Sequence, residues 1–476
     1  MDCAKVTPAP ELSYQQGRGF SPSRDGLDTG SFAPSVRSAE QGKTDGTSIE
    51  SRGNYLHLVD SEKMVELHVP AEVALSRWQV VRPLLAEGLT LVLVGLAFGF
   101  FVQKGRAYEP KVMQDQMLLR DFTMMKMFLS ACAAAQFCFS ILDYFDVHGF
   151  RKYRLANQAA RNSRGVLAVA IGSGLLGVSM TISGACPTTL YSQVGSGVNG
   201  SFQVLLGSVL GTLLFTLAEP FMAKRFFAIF QLKWKGIDGD IIKLPSYVLA
   251  PAFAAGMLGF CFVLDHFAPS SHGYENAPIG AKFSIVQTKS WHPMIAGSFI
   301  GLLQLPSYIF AGQLLGSSVA FVSLLSPFGA LVARVFPMFK ATEAALFDFP
   351  SKDSILSMLF ILAMATGSTI SAVLGGTLGV AGGYFGPGIA PAGEAVAASA
   401  AVVNAVPLVV PGLGPWGATI LGGALSLFGS RVAKGCTVGH GLSGFALLST
   451  IACVAIPSIF VGGIVSAQVL RVWVRN

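Results

Sequence analysis

Residues 172–187 read GSGLLGVSMTISGACP, and residues 422–441 read GGALSLFGSRVAKGCTVGHG. Both stretches are apolar, both are broken by glycine, and both run into a cysteine, Cys186 in the first and Cys436 in the second. They occupy corresponding places in two halves of the chain. Unwound backbone is tolerated at bilayer depth only where it lines a cavity, and paired interrupted apolar segments mark the substrate site of transporters built from repeats. The pair therefore points to a polytopic membrane transporter.

The rest of the composition agrees with that reading. Of 476 residues, 52% are hydrophobic and 12% charged, with a mean hydropathy of +0.57. Soluble domains carry about a quarter charged residues, so a chain this depleted must face lipid over most of its area. The apolar runs are about twice the ten residues of a barrel strand and do not alternate, which rejects a transmembrane β-barrel. The formal charge of +7 is spread over short loops, as cytoplasmic loops and anionic lipid contact require, and does not suggest nucleic acid. Seven cysteines without a CxxC pair argue against a disulfide framework or a zinc site, and no cofactor is expected. Gly172–Gly177 spells GxGxxG, but no strand precedes it, so close helix packing explains it better than dinucleotide binding. No Walker motif is present, which argues against ATP hydrolysis by this chain.

Hydropathy predicts an all-α integral membrane protein with about nine spans, at 84–102, 122–142, 165–182, 202–219, 246–265, 293–312, 354–374, 414–430 and 443–468. Residues 1–75 read as a disordered polar tail, 80–220 as a first transmembrane repeat, 221–290 as a linking helix with loops, and 291–470 as a second repeat. Each repeat has four helices and opens on a glycine-rich one, with Gly95 and Gly99 in the first and Gly297 and Gly301 in the second. The single linking helix makes the two repeats inverted. The apolar, Gly- and Pro-broken segments 314–353 and 382–413 read as re-entrant or interfacial loops. The Lys and Arg count places the N-terminus in the cytoplasm and, with nine spans, the C-terminus outside.

The turns carry their own chemistry. In Ser183-Gly184-Ala185-Cys186-Pro187-Thr188-Thr189 the glycine lets a helix break and the proline can start a new one. Cys186 then opens a half-helix whose unpaired N–H groups and positive dipole end attract an anion where no charged side chain is at hand. Gly435 and Cys436 repeat the arrangement, followed by Thr437 and His440, while Ser443 could cap the last helix. The hydroxyls of Thr188, Thr189 and Thr437 can meet an anion's oxygens or bond back to their own helices. His440 can orient Cys436 or the anion, or simply cap its turn. Arg431 and Lys434 read as snorkelling anchors. Cys132, Cys138, Cys261 and Cys453 read as small buried hydrophobes. Among the few intramembrane carboxylates, Glu87, Asp143, Glu219 and Asp265 sit near span ends and leave a proton relay open.

The motifs Ser183–Pro187 and Gly435–Gly441 together resemble the paired signatures of the YeeE/YedE sulfur-transport family, as do Arg120-Asp121-Phe122-Thr123 and Trp291-His292-Pro293. The similarity covers about residues 85 to 470. It implies uptake of thiosulfate or a related inorganic sulfur anion by an hourglass-shaped bundle in the cell membrane, with Cys186 and Cys436 contacting the ion in passage. Gly184, Gly435, Thr188, Thr437 and His440 complete the expected pathway, and a cytosolic sulfur-carrier protein is an implied partner. Many members carry a further cysteine after the first span, whereas Lys104-Gly105-Arg106-Ala107-Tyr108 has none. A neutral thiol is a weak donor suited to soft sulfur, and it adds no charge to repel a dianion. The chain is thus expected to be a carrier and not an enzyme. The alternative is a membrane-bound sulfurtransferase that passes sulfur through a cysteine persulfide.

Overall fold

The computed structural model describes residues 47–52, 55–60, 63–65, 77–161, 164–223, 226, 236–237, 241–269, 285–316, 352–379 and 413–475. Two compact units emerge, a small one over Gly19–Glu87 and a large one holding Gly88–Asn476.

Within the stretch expected to be a structureless tail, the small unit holds a short sheet. Strands β1 (Thr47–Arg52), β2 (Tyr55–Asp60) and β3 (Lys63–Val65) pair antiparallel in the order β1-β2-β3. Thr47 pairs with Asp60 and Arg52 with Tyr55, so only Gly53 and Asn54 separate the first two strands. A polar composition hid a hairpin signal: β-forming Ile49, Tyr55, Leu58 and Val59 flank a two-residue Gly-Asn pair.

The large unit is helical, and eight of its described helical segments are long and apolar enough to cross a membrane. In chain order the described helices are α1 (Arg77–Lys104), α2 (Pro110–Met117), α3 (Thr123–Tyr144), α4 (Phe150–Arg161), α5 (Val166–Ser183), α6 (Thr189–Gly195) and α7 (Ser201–Ala223). Then come α8 (Ser246–Phe267), α9 (Pro293–Leu302), α10 (Gln304–Ala311), α11 (Lys352–Leu374), α12 (Pro415–Val432) and α13 (Thr450–Arg475). The eighth predicted span, 414–430, is α12, which is not among those eight segments. The sixth is one span in two pieces, α9 and α10, joined at Leu303. The last begins at Thr450 instead of residue 443, because Val438–Phe445 form a π-helical turn. The expected re-entrant segments 314–353 and 382–413 lie almost wholly outside the described residues.

Glycine sets the packing. In lipid no hydrophobic force drives helices together, so tight backbone approach over small residues does the work. Helices α5 and α12 cross where Gly172 meets Gly429: a Cβ on Gly172 would stand 2.7 Å from the Gly429 carbonyl, and one on Gly429 2.6 Å from the Gly172 carbonyl. On either side of this crossing the contacts are reciprocal. Helix α7 lies on α12 through Gly207 and Gly211, against the backbones of Ile420 and Ala424. Helix α13 lies on α5, with Gly177 against Ile459 and Gly462 against Gly174. Further out, Gly95 and Gly99 seat α1 on α11, as Gly297 and Gly301 seat α9 on α3. Helix α8 packs on α3 from outside, and a Lys126–Asp265 ion pair of 2.8 Å joins the two.

Candidate functional site

Helix α5 ends at Ser183, and Gly184 turns the chain into the left-handed region at φ +54°, where its N–H still reaches the Met180 carbonyl at 3.0 Å. That backbone shape suits glycine, and the space a side chain would take is already filled by Pro110 of α2. Two residues later Cys186 leads into α6. The Thr189 N–H donates to Cys186 Sγ at 3.4 Å, the Leu190 N–H to the Cys186 carbonyl at 3.1 Å, and the Cys186 N–H to Thr189 Oγ1 at 3.0 Å. The thiol sulfur thus does for α6 what a serine oxygen does at a helix start. Gln193 Nε2 closes the turn by donating to the Gly184 carbonyl at 2.8 Å.

The second turn repeats this geometry at its cysteine. The Gly439 N–H donates to Cys436 Sγ at 3.4 Å, and the His440 N–H to the Cys436 carbonyl at 2.8 Å. The left-handed residue two positions ahead of the cysteine is Lys434, at φ +57°. This corrects the sequence reading, which gave the break to Gly435. Gly435 is small for another reason: a Cβ there would stand 2.6 Å from His440 Nε2. Ser443 does not cap the last helix; within the π-helical turn it donates to the Leu315 carbonyl at 2.8 Å and accepts from Gln304 Nε2 at 2.9 Å.

The two turns meet. Thr188 Oγ1 of the first lies 3.8 Å from Cys436 Sγ of the second, and Thr437 Oγ1 of the second lies 3.9 Å from Met180 Sδ, one turn before the first break. Cys186 and Cys436 are 2% and 0% exposed, so both thiols face protein and not bulk water. His440 is also fully buried. Its Nε2 faces the Ala433 carbonyl at 3.0 Å and must carry the proton there, which leaves Nδ1 as an acceptor with no hydrogen-bond partner among the described residues. All seven residues expected at the site therefore fall in or against one buried cluster.

Other readings change. The site does have a cation: Arg161, the last residue of amphipathic α4, donates through Nη1 to the Gly439 carbonyl at 2.5 Å. In the sequence it counts only as a topology charge, although the i, i+4, i+7 spacing of Arg154, Gln158 and Arg161 places the three on one helix face. Arg431, expected to snorkel, is buried at the end of α12. Three of the carboxylates near span ends are engaged: Asp143 with Arg154 at 3.3 Å, Glu219 with Arg164 at 3.2 Å, and Asp265 with Lys126. The two outlying motifs start helices. Asp121 Oδ1 accepts from the Thr123 N–H at 2.6 Å ahead of α3, and His292 Nδ1 accepts from the Met294 N–H at 3.3 Å at the start of α9.

Two comparisons with known proteins bear on this arrangement. The family model described as sulphur transport matches residues 104–465, a stretch that takes in both cysteine turns and the helices that hold them. No curated protein matches the chain.

Proposed function

Since the chain belongs to the sulphur transport family and is an integral, multi-pass membrane transporter of sulfur compounds, we propose that its cargo is thiosulfate or a close inorganic relative, passed between Cys186 and Cys436. The observation that carries this is the meeting of the two turns through Thr188 and Cys436. A buried thiol offers a soft, uncharged contact to a terminal sulfur, and the flanking hydroxyls of Thr188, Thr189 and Thr437 suit oxyanion oxygens. Each thiol sulfur is held by the N–H three residues on, so the ion exchanges one weak partner for another as it passes.

The same proposal reads the bundle as two inverted repeats. Reciprocal packing supports it: α1 on α11 mirrors α9 on α3, α7 on α12 mirrors α13 on α5, and α5 with α12 sits on the pseudo-twofold axis. We take the chain to act as a carrier and not as an enzyme, delivering to a cytosolic sulfur-carrier protein.

The test is uptake of sulfur-35 thiosulfate by cells without their own carrier. Cys186→Ala and Cys436→Ala are each expected to cut uptake by at least about tenfold, a loss of ~1.4 kcal/mol or more of interaction with the ion, at matched membrane levels. Wild-type flux in the double variant would refute the pathway. A persulfide trapped on Cys186 during turnover would move the assignment to a sulfurtransferase.

A further inference from the structure

Buried cations elsewhere in the bundle mostly have a carboxylate: Lys126 has Asp265, Arg154 has Asp143, and Arg164 has Glu219. Arg161 has none among the described residues. It is partly buried, and its partners are two neutral oxygens, Asn157 Oδ1 at 2.7 Å and the Gly439 carbonyl at 2.5 Å. A guanidinium has five N–H donors, so three remain after these two bonds. Lys104 also lacks a carboxylate among the described residues, but its ammonium is held by the carbonyls of Thr288 and Ser371 and lies over the Phe100 ring, and none of these partners belongs to a cysteine turn.

The place where Arg161 attaches gives its lack of a carboxylate among the described residues a meaning. The residue whose carbonyl it holds, Gly439, is the one whose N–H holds the Cys436 sulfur. One glycine therefore ties a full positive charge to a thiol within a buried turn, where charge–charge interactions are far less screened than in water. Gln158, one turn earlier on the same face of α4, donates to the Leu447 carbonyl at 2.7 Å, so the helix is fixed to this region at two points. Gly444, just beyond, leaves room for the guanidinium: a Cβ there would stand 3.3 Å from Nη1.

We infer that Arg161 is the countercharge of the transport site, and that the cargo itself supplies the anion that no described residue offers it. The inference rests on the reading of Cys186 and Cys436 as the pathway and adds a recognition residue to it: the soft end of the sulfur oxyanion meets the thiols while its charged oxygens take Arg161 guanidinium N–H groups. Charge-assisted bonds to planar guanidinium are the strong ones, and they discriminate an oxyanion from a neutral sulfur species.

The test uses the full chain in proteoliposomes, with labelled thiosulfate as the probe and wild type, Arg161→Lys and Arg161→Gln compared. Glutamine keeps a donor for the Gly439 carbonyl without the charge, and lysine keeps the charge without the fork. Glutamine is expected to raise KM about tenfold or more, and lysine, which keeps the charge but loses the fork, to raise it by about threefold to fivefold, short of glutamine. The thermal unfolding midpoint of the glutamine variant, taken in detergent, is expected to match wild type. A glutamine variant with wild-type KM, or a lysine variant as poor as glutamine, overturns the countercharge. Absence of cysteine-dependent uptake by the wild-type chain would instead remove the pathway beneath it.

Discussion

Gly184 and Lys434 hold the same place in their turns, two residues ahead of the cysteine, and both are left-handed. Only one of them is glycine, so the two positions answer substitution with opposite signs. Gly184→Ala meets both an unfavourable φ and the ring of Pro110, and a loss of about 1–3 kcal/mol is expected. Lys434→Gly relieves a strained backbone and is expected to gain about 0.5–1 kcal/mol. Thermal unfolding in detergent reads both. Cys186→Ser belongs at this scale too. Its hydroxyl can replace the sulfur as acceptor for the Thr189 N–H, so the turn is expected to keep its stability while thiosulfate uptake falls, which separates the cap from the cargo contact.

At the scale of elements, glycine decides which surfaces meet. Gly177 lies against the backbone of Ile459 in the α5–α13 contact, whereas a Cβ added to Gly256 of α8 would meet nothing within 4 Å. Gly177→Val is expected to cost at least about 2 kcal/mol through overpacking, and Gly256→Ala to gain up to about 1 kcal/mol of helix propensity. Equal melting temperatures for the two would refute the packing assignment. The spans were legible in the sequence because apolar composition over some twenty residues has one explanation in a bilayer, and eight of nine expected spans coincide with helices that could cross it. What escaped was what composition does not encode. The start of α13 moved to Thr450 because Gly439, Gly441 and Gly444 allow a wide turn in a segment that reads as apolar helix. Helices α2, α4 and α6 are too short or too polar for a hydropathy window, and with α4 went Arg161. The two cysteine turns, by contrast, stand out in the sequence as a repeated local pattern, while the left-handed role of Lys434 breaks the rule that glycine takes such positions.

Across the large unit, most of the principal helix contacts cross between halves, the α3–α8 contact aside. Helix α7 rests on α12, α13 on α5, α1 on α11 and α9 on α3. At these four crossings the glycines of one half fit surfaces that the other half holds. Residues 77–269 and 285–476 expressed separately are therefore expected to be degraded, and co-expression to restore membrane protein and sulfur-35 uptake together. A stable, folded half on its own, by size-exclusion profile in detergent, would contradict this division of contacts. The orientation expected from the charge count rests on Arg151, Lys152 and Arg154 beside the C-terminal end of α3 and on Lys243 ahead of α8, and a reporter fused after residue 476 tests it.

Each thiol is bound to its own backbone, and the surrounding turns are closed to bulk solvent. The consequence is electrical. On the proposed pathway, two thiols sealed from bulk solvent leave no open aqueous pore at the crossing, so the idle carrier is expected to pass neither proton nor chloride current, and a conductance across voltage-clamped proteoliposomes without thiosulfate would contradict it.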